Sequence, residues 1–340
     1  MNKSVPTLDD VARTAGVSTA TVSRCINTPD KVVMATRDRV QAAIDALGYV
    51  PNFGARVMAA KRTFTIGAII PTMENAIFAR GLQAFQESLH DKGYTLLVAS
   101  SAYRPEVEEE QIRALVARGA DGLLLIGHDR SQQIYDYLDR QNVPLLVAWT
   151  YAASEARPSV GFDNRAAMIA LAREVLGRGH RQIGLISGIT KGNDRARQRL
   201  EGLREAIADY GLSPEALTII ETPYEVENGA NAFERLMLQA EPPTVVMCGN
   251  DVLAVGALNR ARQMGLDVPG DVSVTGFDDI ELARIVVPAL TTVHVPHREM
   301  GRVAADKLVE MVERKSPVTS VPLECVVQIR SSLGPAPVSS

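Results

Sequence analysis

The chain has 340 residues, too many for one ordinary core, so two or three domains are expected. With 46% hydrophobic and 22% charged residues it has the composition of a globular protein, which excludes a largely disordered chain. The net charge of −4 hides an asymmetry, because residues 1–62 carry nine Lys/Arg against five Asp/Glu and the remainder is acidic; an anion such as nucleic acid is expected to meet the basic head alone.

The first sixty residues predict three short helices, near 7–14, 18–26 and 33–46, separated by the turns AGVS and NTPDK and free of strand patterning. Thr7, three residues before Asp10, and Ser18, before an apolar run, fit N-caps. Gly16 to Asn27 reads GVSTATVSRCIN, with helical spacing of Val17, Val22 and Ile26 and an outer face of short hydroxyl side chains. A merely solvated face would normally use Glu, Lys and Gln, which have better helix propensity. A helix-turn-helix explains the choice: small residues at the start of the second helix let the backbone approach the bases, hydroxyls reach phosphates or base edges, and Arg24 can fork onto guanine O6 and N7. Taken alone, the same twelve residues also fit an ordinary helical hairpin. The following segment, YVPNFGARVMAAKR, reads as a linker in which Pro51 and Asn52 can start another short helix.

From residue 65 onward, apolar runs alternate with helix-period segments. The predicted strands are TIGAII (65–70), TLLVAS (95–100), GLLLIG (122–127), PLLVAW (144–149), QIGLIS (182–187), TVVMCG (244–249) and VSVTGF (272–277). Strands this apolar, joined by crossover helices such as EEEQIRALVARGA and NRAAMIALAREVLGRGH, predict an α/β fold with parallel sheets. One barrel or two doubly wound lobes fit the pattern equally.

The stretch TLDDVARTAGVSTATVSRCIN, followed by TRDRVQAAIDALGYVPNFGAR, resembles the LacI/GalR family of bacterial transcription regulators. The resemblance continues through VGFDN (160–164), GHRQIG (179–184), RQRLEG (197–202), GNDVLAVGAL (249–258), GFDD (276–279) and PALTTV (288–293), and so covers almost the whole chain. It implies an all-α helix-turn-helix head at 1–50, a hinge helix at 51–63 and a two-lobed core like periplasmic sugar-binding proteins. Lobe 1 is expected over 64–160 plus about 292–320, and lobe 2 over 161–291 plus about 321–334, with 335–340 as a tail.

In the head, Thr19 and Ala20 match the family's base-reading pair, and Ser18, Thr21, Ser23 and Arg24 its phosphate and base contacts; Thr7, Leu8 and Asn27 complete the expected DNA-facing set there. In the hinge the set is Asn52, Ala55, Arg56 and Met58, with Met58 at the place of the family's minor-groove leucine wedge. Gly54 lowers helix propensity there by roughly 1 kcal/mol, which suits a hinge that folds on DNA; a close contact between two hinge helices explains it equally.

For the effector the resemblance points to Arg199, Asn250 and Asp278, joined by Phe78, Trp149 and Tyr224, with His297 reaching the cleft from the hinge side. Trp149 reads as a stacking platform or as lobe packing, and Asp278 or Asp279 as a ligand contact or a helix cap, the capping role being expected of Asp251. A guanidinium beside a carboxamide and a carboxylate suits vicinal hydroxyls or a clamped carboxylate, so a sugar or sugar acid is expected, with a nucleobase or nucleoside as the alternative. The expected partners are therefore this small molecule, a palindromic operator and a second copy of the chain. The tail RSSLGPAPVSS has no leucine heptads, so a dimer is expected and not a tetramer.

Two rivals are weaker. An enzyme lacks support because no GxGxxG, Walker A or GxSxG falls in a strand-to-helix context, and His294 and His297 have no obvious third metal ligand; no cofactor is expected. A transport receptor leaves residues 1–62 without purpose. Cys25, Cys248 and Cys325 are far apart, which fits neither a disulfide framework nor a zinc site, and with no apolar leader or run of 18 apolar residues a cytoplasmic location is expected.

Overall fold

The computed structural model describes residues 5–50, 62–74, 76–314 and 318–337, and the chain divides into an N-terminal unit, Met1–Thr63, and a larger one, Phe64–Ser340. In the first unit α1 (Leu8–Ala15), α2 (Thr19–Asn27) and α3 (Met34–Leu47) each begin just after the capping residue, one position later than expected. Thr7 and Asp10 form a reciprocal capping box, with Thr7 N–H donating to Asp10 Oδ2 at 2.9 Å. Gly16 ends α1 in the left-handed region at φ 66°, the conformation a tight turn into α2 requires. Val11, Ala15, Val22, Cys25 and Val40 make a small core of their own, so Val22 packs inward as its spacing demands.

The larger unit holds two parallel sheets. The first contains β1 (Thr65–Ile70), β2 (Thr95–Ser100), β3 (Gly122–Ile126), β4 (Leu145–Ala148), β5 (Ser159–Gly161) and β11 (Val321–Pro322), in the order β11-β5-β4-β3-β1-β2. One of its faces packs against α4 (Ala79–Asp91) and α12 (His297–Arg314). The other packs against α5 (Pro105–Ala117) and α6 (Gln132–Gln141). Burial on both faces is why β1 is apolar beyond Thr65 and β3 throughout, and the two sheets stay open and separate, so two lobes form and not one barrel.

The second sheet runs β7-β6-β8-β9, from β6 (Ile183–Gly188), β7 (Leu217–Thr222), β8 (Val245–Cys248) and β9 (Ser273–Thr275). Its strand side chains alternate between two cores: Val245 and Met247 face α7 (Asn164–Gly177) and α8 (Asp194–Asp209), while Val246 and Cys248 face α9 (Val226–Met237) and α10 (Asp251–Gln263). An antiparallel pair, β10 (Thr292–His294) with β12 (Val326–Gln328), lies where the chain passes between lobes. The last return falls slightly later than expected, because Val321 and Pro322 still pair with Val160 and Gly161 on the first sheet. Among the described residues no helix is long and apolar enough to cross a membrane.

Candidate functional site

In α2 the hydroxyls have two uses. Ser18 caps the helix by accepting the Thr21 N–H at 3.2 Å, and its hydroxyl also meets that of Thr21 at 3.0 Å. Asn27 Nδ2 donates to Ser23 Oγ at 3.2 Å, which holds both on one face one turn apart. Ala20 and Arg24 are exposed and Thr19 is half-buried, while Thr7 is exposed beside half-buried Leu8. The expected hinge residues Asn52, Ala55, Arg56 and Met58, and Gly54 with them, lie outside the described residues.

The second site lies at the carboxyl ends of both sheets, where open α/β folds place ligands. A cavity there is lined by residues that follow β1 (Ile77, Phe78), β2 (Tyr103) and β4 (Trp149) in one lobe. The other lobe contributes Asn193, Arg195 and Arg199 at the start of α8, with Tyr224, Asn250 and Asp278 after β7, β8 and β9. The free space between these side chains is about 20 Å³, room for about one water. Tyr224 reaches the cavity only because residue 188 is glycine; a Cβ there would overlap the tyrosine ring.

Arg199 is fully oriented by its surroundings. Its Nε donates to Asn164 Oδ1 at 2.9 Å, Nη1 donates to the Gly249 carbonyl at 2.5 Å, and the guanidinium lies 3.7 Å from the Phe277 ring centroid. Asn164 also donates to the Trp149 carbonyl at 3.1 Å, so one carboxamide ties the first lobe's tryptophan to the second lobe's arginine. Asp278 sits 3.7 Å from Arg199 Nη2, with Oδ1 buried and lacking a hydrogen-bond partner among the described residues. Burial pushes its carboxyl up to about 6, although Arg199 and Arg195 pull it down.

Asn250 spends Oδ1 on capping α10, accepting the Leu253 N–H at 2.9 Å, and its buried Nδ2 has no partner among the described residues. The cap expected of Asp251 is thus made by Asn250, because Asp251 already lies in the first turn. The Asp251 carboxylate instead accepts the Ile280 N–H at 2.8 Å and meets the Thr292 hydroxyl at 2.6 Å. Asp279 caps no helix either: it is held by Arg330 at 2.6 Å and His294 at 2.9 Å.

His297 stands behind the cavity and does not line it. Its Nδ1 accepts the Trp149 indole N–H at 3.2 Å and its Nε2–H donates to the Asp278 carbonyl at 3.2 Å, bonds that require the neutral ring. Burial pushes the imidazole down to about 4, in agreement. Trp149 is therefore fixed on both sides, edge-on to Phe78 at 5.3 Å and tied to His297, with only 2% of its surface exposed. Its packing role is plain, and it also lines the cavity.

Four lining residues escaped the sequence reading: Ile77, Tyr103, Asn193 and Arg195. Arg195 had a signal, since it precedes Arg199 by one helical turn and so shares its face. Tyr103 had none; it is placed by a turn in which Ala102 and Tyr103 both adopt left-handed backbone, at φ 50° and 56°. Trp149 and Asp278 share this property at φ 63° and 107°, so strained backbone gathers at the cavity, as it does at binding sites generally.

Residues 7–52 match the model of bacterial regulatory proteins of the lacI family, and residues 172–333 match the periplasmic binding protein-like domain. The HTH-type transcriptional repressor PurR of Photobacterium profundum is 32% identical over 311 residues, covering 91% of this chain and 93% of that protein. The protein of that name from Proteus mirabilis is 35% identical over 313 residues, covering 91% of each. Among solved structures, the Lac repressor dimer bound to operator and the anti-inducer ONPF superposes with a TM-score of 0.86 at 26% identity, covering 97% of this chain and 99% of that one. A complex of the transcriptional regulator CelR with cellobiose gives 0.70 at 29% identity, covering 96% and 99%.

Proposed function

Since the chain belongs to the lacI family of bacterial regulatory proteins and is a DNA-binding repressor, we propose that a polyhydroxylated small molecule, a sugar or sugar acid, binds between its core lobes and sets its affinity for a palindromic operator. The observation that carries this reading is the pair of buried groups at the cavity that make no hydrogen bond among the described residues, Asp278 Oδ1 and Asn250 Nδ2. A buried acceptor and a buried donor left without hydrogen bonds cost stability unless a ligand supplies the complement, and adjacent hydroxyls supply both. The sugar in the CelR complex, a structural relative across 96% of this chain, supports the same class.

The aromatic groups Phe78, Trp149, Tyr103 and Tyr224 favour a second reading, a nucleobase or nucleoside stacked between rings. On either reading the ligand acts only through its difference in affinity for the operator-binding and non-binding states. Thr19, Ala20 and Arg24 of α2 are assigned to base edges, with Ser18, Thr21, Ser23, Asn27, Thr7 and Leu8 around them at the backbone. A dimer follows from the small surface one head can bury, as in the operator-bound dimer of Lac repressor. Selection of bound duplexes from a random DNA pool tests this part: a palindrome is expected, and recovery of an isolated half-site would contradict the dimer. Titration of the single tryptophan's fluorescence with sugars, sugar acids and purines tests the effector class. Binding by purines alone would overturn the sugar reading.

A further inference from the structure

Arg199, the arginine that the family resemblance points to, lines the cavity with Nη2 3.7 Å from Asp278 Oδ1, and the rest of its guanidinium is already engaged. Asn164, the Gly249 carbonyl and the Phe277 ring hold three parts of its guanidinium. Arg195 differs. It is only 8% exposed, and its Nη1 alone is engaged, with Asp194 Oδ1 at 3.0 Å. The other oxygen of Asp194 accepts the His128 N–H at 2.6 Å, so this carboxylate is already shared with the opposite lobe. Arg195 Nε and Nη2 have no protein acceptor among the described residues.

The position of these donors is informative. Beside the effector cavity lies a second one, with about 30 Å³ enclosed, bordered by Ser101, Arg104 and Asp129. Tyr103 and Arg195 line both cavities and form the partition between them. The guanidinium projects from the first turn of α8, a sixteen-residue helix whose amino end adds partial positive charge. Asp278 and Asn250, with their unpartnered atoms, line the effector cavity on which the same guanidinium borders.

We propose that Arg195 binds an oxyanion on the effector, a carboxylate or phosphate, so that the ligand is an anionic polyol and not a neutral sugar. The proposal rests on the cleft being the effector site. The anion lies at the partition between the two cavities and takes the free N–H groups of Arg195 as a fork, while the ligand's hydroxyls reach Asp278 Oδ1 and Asn250 Nδ2. A neutral sugar offers these N–H groups no charged acceptor, which gives the site its selectivity.

The test is tryptophan fluorescence titration of the full chain with matched compounds: hexonates against the corresponding alditols, and hexose 6-phosphates against the parent hexoses. The tightest compound is expected to be an acid or a phosphate, at least tenfold tighter than its neutral partner, and the two series tell carboxylate from phosphate. Arg195→Gln should reduce that preference below about threefold, and Arg195→Lys should keep part of it. This ratio is not moved by a purely structural role of Arg195. A neutral compound that binds as tightly as its anion, or a preference intact in Arg195→Gln, would overturn the proposal while leaving the cleft as effector site. Silence across the panel, with a response to nucleobases only, would overturn the polyol reading and this proposal together.

Discussion

Asp278 carries the sharpest consequence at the scale of single residues. Its carboxyl, ordinarily at 3.8, is raised to about 6 chiefly by burial. Between those values the folded chain holds a proton that the unfolded chain releases, so stability falls as pH rises through this window. The group then costs about 3 kcal/mol at neutral pH. Asp278→Asn should remove that slope: in urea melts from pH 4 to 8, wild type should lose stability relative to the variant up to about pH 6 and run parallel to it above pH 7. Parallel profiles throughout would place Asp278 in a more polar setting than the structure gives it. In the head, Arg24 is exposed on α2 with no ion pair among the described residues, which leaves its guanidinium open to the base contact proposed for it. Arg24→Ala should weaken binding to the selected operator by roughly 1–3 kcal/mol, more than binding to random duplex, in anisotropy titrations at fixed salt.

At the scale of elements, α4 and α12 meet with almost no space between backbones. A Cβ on Gly301 would run into the Gly81 carbonyl, and one on Gly81 into the indole of Trp149. Gly301→Ala should therefore force the helices apart and lower stability by about 1–3 kcal/mol, read as a lower urea midpoint at unchanged slope. Such contacts explain what could and could not be read from the sequence. TIGAII and TLLVAS became β1 and β2 with the expected bounds, because apolar β-branched runs flanked by polar turns admit little else. LTIIET, an edge strand with side chains half-exposed, and the three-residue β5 lacked that contrast and were not anticipated. At the cavity, Arg199, Asn250 and Asp278 were legible through the family resemblance, and the lining places Asn250 and Asp278 just past β8 and β9. Tyr103 depends on a left-handed turn, and the absence of His297 from the cavity lining depends on packing from the far lobe; neither leaves a local pattern.

At the scale of the molecule, the two lobes are held together across the cleft by a few polar contacts. Arg197 of α8 makes a two-pronged bond to Asp129 after β3, both arms 2.8 Å, beside the bond from His128 N–H to Asp194. The burial that raises Asp194 is outweighed by Arg195 and by this N–H, and its carboxyl lies below the usual range. Arg197 does not line that cavity, and its bond to Asp129 joins the two lobes beside it. Arg197→Ala should raise the effector's Kd by less than tenfold, since a half-exposed pair contributes about 1 kcal/mol or less. A larger loss would mean that the arm reaches the ligand itself.

On the proposed function, occupancy of the cleft changes how the head holds its operator. Anisotropy of a labelled duplex carrying the selected operator, titrated with the full chain in the presence of each sugar, sugar acid and purine, tests it most directly. At least one compound should change the operator Kd by about fivefold or more, the usual scale of allosteric coupling, and the change should vanish in Arg199→Ala. An operator Kd indifferent to every compound, or a response that survives in Arg199→Ala, would contradict the account.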